Sequence, residues 1–285
     1  MTDVVDAAAV KSTFGRTVEE RFTNRLMLNV PTRGNPAVER LIERMNADDE
    51  LYALWLAANV NAVERLGMTD HGPVHVKIVM NIAIKLLRVL TEHGVQPGVV
   101  KNYGMRVEDA EVVVVMASLL HDVGMSIHRK DHEEFSLFVA QMKLRELLEG
   151  IYPRGQATII RSEILHAIIG HRAGGKPMTI EGGVVRVADS LDMAKGRSRI
   201  AMEAEGPMMS IHSISAAAIE AVHIETGVEK PVRIRVEMTN SAGIFQLDQL
   251  FREKLSGSGL ENYVEVEALI EGEAEKRLVQ TAYRI

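Results

Sequence analysis

The chain contains no cysteine. Disulfides, thiolate metal sites and cysteine nucleophiles are therefore excluded, and any metal site must be built from His, Asp, Glu and water. The absence also fits a reducing compartment. Aromatic residues make up only 4%, with a single Trp, so Leu, Ile, Val, Ala and 15 Met must fill the core that an apolar content of 46% implies. Unbranched Met suits the irregular gaps between helices. Long apolar runs are missing too: the longest reach about ten residues, whereas a membrane span needs about 20. The opening MTDVVDAAAVKS carries acidic residues where a secretory signal needs positive charge. These absences predict a cytoplasmic protein with no membrane partner. An excess of positive charge is also lacking. Lys and Arg number 33 against 39 Asp and Glu, for a net charge of −6. That argues against charge-driven binding to long nucleic acid, while leaving room for a small basic pocket for one phosphate group.

A length of 285 residues allows one large domain or two unequal ones. Most of the chain reads as helix. Asn35-Pro36 opens one with an N-cap Asn and Pro at the first helical position. Others are expected at about 48–66, 74–93, 131–148, 157–169 and 179–194, with Gly67 and Gly94 as stops. Val107 to Leu120 holds a Val112–Val115 run with strand propensity, but its helical length predicts a buried helix. A further helix is expected at about 211–225. After Gly227 the texture changes. VRIRVEM (232–238) and YVEVEALI (263–270) alternate as half-buried strands do, 244–255 has helical spacing, and 278–285 reads as a last strand. The fold class is mainly α, with an N-terminal extension at 1–34, a helical domain at 35–226 and a small α+β domain at 228–285.

Six of the ten histidines fall in four short segments: His71 and His75, His121, His132, and His166 with His171. His121-Asp122 closes a buried helix, where a carboxylate is costly unless paired or bound to metal. The same pair also reads as a helix-terminal hydrogen-bonding pair. Asp189 and Asp192 lie three apart on one helical face. Asp189 follows apolar residues and is expected to point inward, with Asp192 solvated or paired to Arg197 or Arg199. His71 and His75 lie four apart around Pro73, which leaves His75 inside the helix and His71 at its start.

In that order, "HGPVHVKIVMNIA", "MASLLHDVGM" and "TIEGGVVRVADSLDM" resemble the three motifs of the HD superfamily of metal-dependent phosphohydrolases, over roughly residues 70–200. The resemblance implies an HD-type helical bundle and a divalent metal held by His75, His121, Asp122 and Asp189. His132 and His171 resemble the extra ligands of members that hold two metals. Arg172 stands where many such members have a second histidine, and Met125 where many have Lys. Both departures count against the cyclic-dinucleotide phosphodiesterase branch and against a second metal. Imidazole and carboxylate ligands suit Mn, Fe, Zn, Co, Ni or Mg, one or two per chain. Such an ion lowers the pKa of a bound water and polarises a phosphoryl oxygen. Asp122 is the candidate to bridge metals or accept a proton, with His71 orienting water or phosphate. Arg172, Lys176, Arg197 and Arg199 are the candidate phosphate contacts.

The expected activity is hydrolysis of a phosphoester of a nucleotide or other small phosphorylated molecule. A non-catalytic regulatory module of the same fold and a nuclease on short oligonucleotides are the alternatives, and an edge strand of the C-terminal domain could build a homodimer. His132-Glu133-Glu134-Phe135-Ser136 fails as a zinc-protease motif, because Ser136 stands where the second His must be.

Overall fold

The computed structural model describes residues 17–193, 215–270 and 283–284. A short helix, α1 (Val18–Thr23), begins at a capping box between Thr17 and Glu20. Helix α2 (Pro36–Asn46) starts where the Asn35 side chain accepts hydrogen bonds from the N–H groups of Ala37 and Val38. Its apolar face, Val38, Leu41, Ile42 and Met45, is buried, at the spacing expected of an amphipathic helix. Asp48 caps α3 (Asp49–Asn59), which continues as a π-helical turn, Val60–Arg65. Helices α4 (Pro73–Glu92), α5 (Gly98–Tyr103) and α6 (Val107–Leu120) follow. A 3₁₀ turn, Val123–Ser126, leads to α7 (His132–Leu147), α8 (Arg154–Gly170) and α9 (Ile180–Leu191).

Helix α6 is the axis of the bundle. Every residue from Asp109 to Leu120 is buried, with α4, α8, α9, α2 and α5 packed around it. The Val112–Val115 run is helical despite its strand propensity. β-branching costs only tenths of a kcal/mol per residue in a helix, and burial among helices outweighs it. Trp55 of α3 donates from Nε1 to the Leu119 carbonyl at 2.8 Å, tying α3 to the end of α6 that carries His121.

The C-terminal part is a four-stranded sheet of order β1-β2-β3-β4: β1 (Ile219–Thr226), β2 (Val232–Met238), β3 (Val264–Ile270) and β4 (Tyr283–Arg284). Strands β1 and β2 are antiparallel, β2 and β3 parallel, and β3 and β4 antiparallel. A parallel pair needs a crossover. Here it carries a π-helical turn, Gln246–Phe251, that runs into α10 (Arg252–Leu255). Phe251 and Leu255 bury into the same apolar core as the bundle helices and the inner face of the sheet. The Cβ position of Gly183 on α9 lies 2.3 Å from the Ser258 carbonyl oxygen, so only glycine permits this approach between helix and crossover.

One expectation is overturned. The helix expected at about 211–225 is instead strand from Ile219 onward, so the sheet begins N-terminal to the expected boundary at 227. Residues 211–214 lie outside the described residues. A bulge between Ile219 and Ala221 shifts the register, so the apolar residues fall at 219, 222 and 224 rather than in strict alternation. No helix among the described residues is long and apolar enough to cross a membrane.

Candidate metal centre

His75 lies in the first turn of α4, wholly buried. Gly72 is the N-cap residue and offers no side chain, so Asp70 caps from outside. Its Oδ1 accepts from the N–H of Gly72 at 3.2 Å and of His75 at 3.0 Å. His121 and Asp122 follow directly on α6, and both are buried. His132 opens α7 and His171 closes α8. Asp189 sits in the last turn of α9, a helix capped by Thr179. Gly124 brings α7 against the His121-Asp122 turn. Its Cβ position is 2.1 Å from the His132 carbonyl oxygen, and its N–H donates to Ser136 Oγ at 2.8 Å.

Three imidazoles, of His75, His121 and His171, share one arrangement, and His132 adds to it, since its Nδ1 also lies 2.8 Å from Arg129 Nη1 and 2.9 Å from Glu133 Oε2. His75 Nδ1 lies 2.6 Å from Asp192 Oδ2, and the Nδ1 atoms of His121, His132 and His171 lie 2.8, 3.0 and 2.5 Å from the carbonyls of Ser118, Arg129 and Ile168. An Nδ1–H donated to such an acceptor leaves the Nε2 lone pair for a cation. All four Nε2 atoms converge on Asp122. His75 and His121 lie 3.4 and 3.2 Å from its Oδ2, while His132 and His171 lie 3.1 and 3.6 Å from its Oδ1. Asp189 Oδ1 lies 3.4 Å from His75 Nε2 and 3.6 Å from His121 Nε2.

This donor set fits a metal. Atoms about 2.0–2.2 Å from a common ion lie about 3.0–3.6 Å from one another. The two Nε2 atoms of His75 and His121 are 3.2 Å apart, and their lone pairs would repel without a proton or cation between them. His75, His121 and Asp122 form one potential ligand group, Asp122, His132 and His171 another, and His121, His171 and Asp189 a third.

The electrostatics point the same way. Burial alone would lower the His121 pKa, but the Asp122 and Asp189 carboxylates raise it to about 9. His132 is likewise raised to about 9 against burial, by Asp122 and Glu133. Burial disfavours charge on Asp122, yet His121 and the other imidazoles hold its carboxyl well below the usual range. Asp189 behaves alike, with Lys254 as its strongest stabilising charge. His171 goes the other way: burial, with the nearby His121 and Lys254, pushes its pKa down despite Asp122. The two carboxylates thus favour positive charge on His121 and His132, while His171 stays a neutral donor.

The remaining sequence candidates lie further out. The ring of His71, just before α4, is 5.5 Å from that of His75, with its Nδ1 2.6 Å from the Thr69 carbonyl. Arg172 is half exposed and bonds Glu134 at 2.9 Å. Lys176 is exposed. Arg197 and Arg199 lie outside the described residues. His166 accepts from the N–H of Met178. Asp192 corrects an expectation: it is buried at 5% exposure and holds His75 rather than facing solvent. Its spacing from Asp189 was the available signal. Glu133 adjoins His132 in the sequence, whereas Lys254 beside Asp189 had no such signal.

A family model described as HD domain matches residues 74–194. The chain is also 44% identical over 216 residues to the uncharacterized protein MJ1020 of Methanocaldococcus jannaschii, across 76% of this chain and 83% of that protein. The chain belongs to the HD domain family. The HD domain match encloses His75, His121, Asp122, His132, His171, Asp189 and Asp192. Membership places the chain in a superfamily of metal-dependent hydrolases. The sheet and the crossover, with Lys254, lie beyond the HD domain match.

Proposed function

We propose that this chain is a metal-dependent phosphohydrolase that uses metal-activated water to cleave a phosphoester of a nucleotide or other small phosphorylated molecule. The observation that carries the reading is the convergence of four anchored imidazoles on the two oxygens of one buried carboxylate, Asp122. His75, His121, Asp122 and Asp189 would hold one divalent ion. Asp122, His132 and His171 would hold a second, with Asp122 between them. Bound ions supply a Lewis acid for a phosphoryl oxygen and an acidified water.

The chain's own groups do the rest. Asp192 and the carbonyls of Ser118 and Ile168 would hold His75, His121 and His171 in the tautomer that ligation needs, and Arg129 and Glu133 would orient His132. His71, whose ring is 5.5 Å from that of His75, would orient a water or the substrate phosphate. Arg172 serves phosphate only after releasing Glu134, and Lys176, Arg197 and Arg199 complete the proposed cationic set. The net charge of −6 favours a small substrate over long nucleic acid, and a cytoplasmic setting accords with the cysteine-free composition.

The test is hydrolysis of 4-nitrophenyl phosphate, its bis-ester and a nucleotide panel by protein loaded with Mn²⁺. Turnover abolished by EDTA and by Asp122→Ala supports the reading. Bound metal without turnover on any phosphoester contradicts it and favours a regulatory module.

A further inference from the structure

Lys254 reaches the metal centre from outside the bundle. It sits on α10, in the crossover between β2 and β3. Its Nζ donates to Asp189 Oδ2 at 3.1 Å and to the His171 carbonyl at 2.5 Å. One ammonium thus holds two elements that carry candidate ligands, the end of α9 and the end of α8. The bond to Asp189 uses the oxygen that faces away from His75 and His121, and leaves Oδ1 toward them.

Lys254 is itself held from below. Arg186, on α9 and 1% exposed, donates from Nε to the Lys254 carbonyl at 2.8 Å and from Nη2 to the Glu253 carbonyl at 3.1 Å. Its Nη1 donates to the Arg172 carbonyl, next to His171. A buried guanidinium spent wholly on backbone carbonyls fixes backbone position. What it fixes is the crossover against the α8–α9 face. The contact between Gly183 and Ser258 closes the same junction.

We propose that Lys254 is a positioning residue of the metal centre, so that the centre is complete only when the C-terminal sheet and its crossover are docked. The proposal rests on the metal-centre reading above. A carboxylate that loses a fixed partner turns or takes up water, and partners of this kind are worth about 10–100-fold in metal affinity. The opposing effect is repulsion between the ammonium and a bound cation. Asp189, which meets the ammonium through Oδ2 and the imidazoles through Oδ1, would offset it.

The experiment titrates metal-free, full-length protein with Mn²⁺ alone and reads affinity without substrate. Wild type, Lys254→Met, Lys254→Arg and Arg252→Ala are compared, with the thermal midpoint of each metal-free protein measured alongside. The expected result is about 10–100-fold weaker binding for Lys254→Met at a nearly unchanged midpoint, partial recovery in Lys254→Arg, and wild-type affinity in Arg252→Ala, whose exposed side chain bonds Asp248. If Lys254→Met does not fold, Lys254→Gln takes its place, with a loss of about tenfold expected. Unchanged or tighter Mn²⁺ binding in the Lys254 variants overturns the proposal. A wild-type protein that binds no Mn²⁺ overturns the metal-centre reading itself, so the two failures are distinct.

Discussion

Asp192 Oδ2 lies 2.6 Å from His75 Nδ1, and both side chains are buried. The pair joins the C-cap of α9 to the first turn of α4. The carboxylate fixes the ring so that Nε2 faces Asp122 and Asp189. Asp192→Ala is therefore expected to weaken metal binding by about 10–100-fold, and Asp192→Asn by less, because its amide oxygen still accepts the Nδ1–H. Mn²⁺ titration against a competing fluorescent chelator measures both. Equal affinity in wild type and Asp192→Ala would contradict the role assigned to this pair.

His132 and His171 face one oxygen of Asp122, while His75 and His121 face the other. His132→Ala should therefore bind about half the metal of wild type by elemental analysis, as a two-ion site requires. His93→Ala should bind the full amount, since that residue sits at the far end of α4 with its Nδ1 beside the Val89 carbonyl. Full metal in both variants would leave one ion per chain.

A Cβ on Gly183 would lie 2.3 Å from the Ser258 carbonyl oxygen, closer than any side chain tolerates. Gly183→Ala must push the crossover away from α9, at a cost of about 1–3 kcal/mol. Urea unfolding followed by the fluorescence of Trp55, which is 2% exposed, reads this directly. A loss below about 0.5 kcal/mol, the range of ordinary surface substitutions, would show that the junction yields freely.

Glu265 on β3 accepts from the N–H groups of Val228, Glu229 and Lys230 and from Arg233 Nε. Burial opposes its charge, but together these donors outweigh it and hold its pKa at about 2, against an ordinary 4.5. A depressed carboxylate pKa contributes stability above the unfolded-state value and loses it as pH falls toward the folded one. Glu265→Gln should thus unfold more easily than wild type at pH 7, and the gap should narrow as pH drops from about 4.5 toward 2. A gap that stays constant over this range would rule out this carboxylate as the cause.

The helices and the ligand order were legible because both leave local signals. Asn35-Pro36 marks a cap, Gly67 and Gly94 mark stops, and the His75, His121-Asp122 and Asp189 segments carry the HD motifs. What the sequence hid is non-local. Asp192 looks solvated until α4 is packed against α9. Lys254 is one lysine among many until the β2–β3 crossover brings α10 to the end of α8. The strand β1 looked helical because its bulge spoils the alternation. Proximity in sequence to the later motifs does not bring a cation to the site: Arg172 is held by Glu134 and Lys176 lies in solvent.

The central claim is that Asp122 and the imidazoles around it hold divalent metal. Its most direct test is metal content per chain, by elemental analysis of protein purified without chelator or metal-affinity resin. The account predicts about two equivalents for wild type, and almost none for Asp122→Ala, which removes the carboxylate that all four Nε2 atoms face. A wild-type protein that takes up no metal even after incubation with Mn, Fe or Zn, or an Asp122→Ala variant with full metal content, would contradict it.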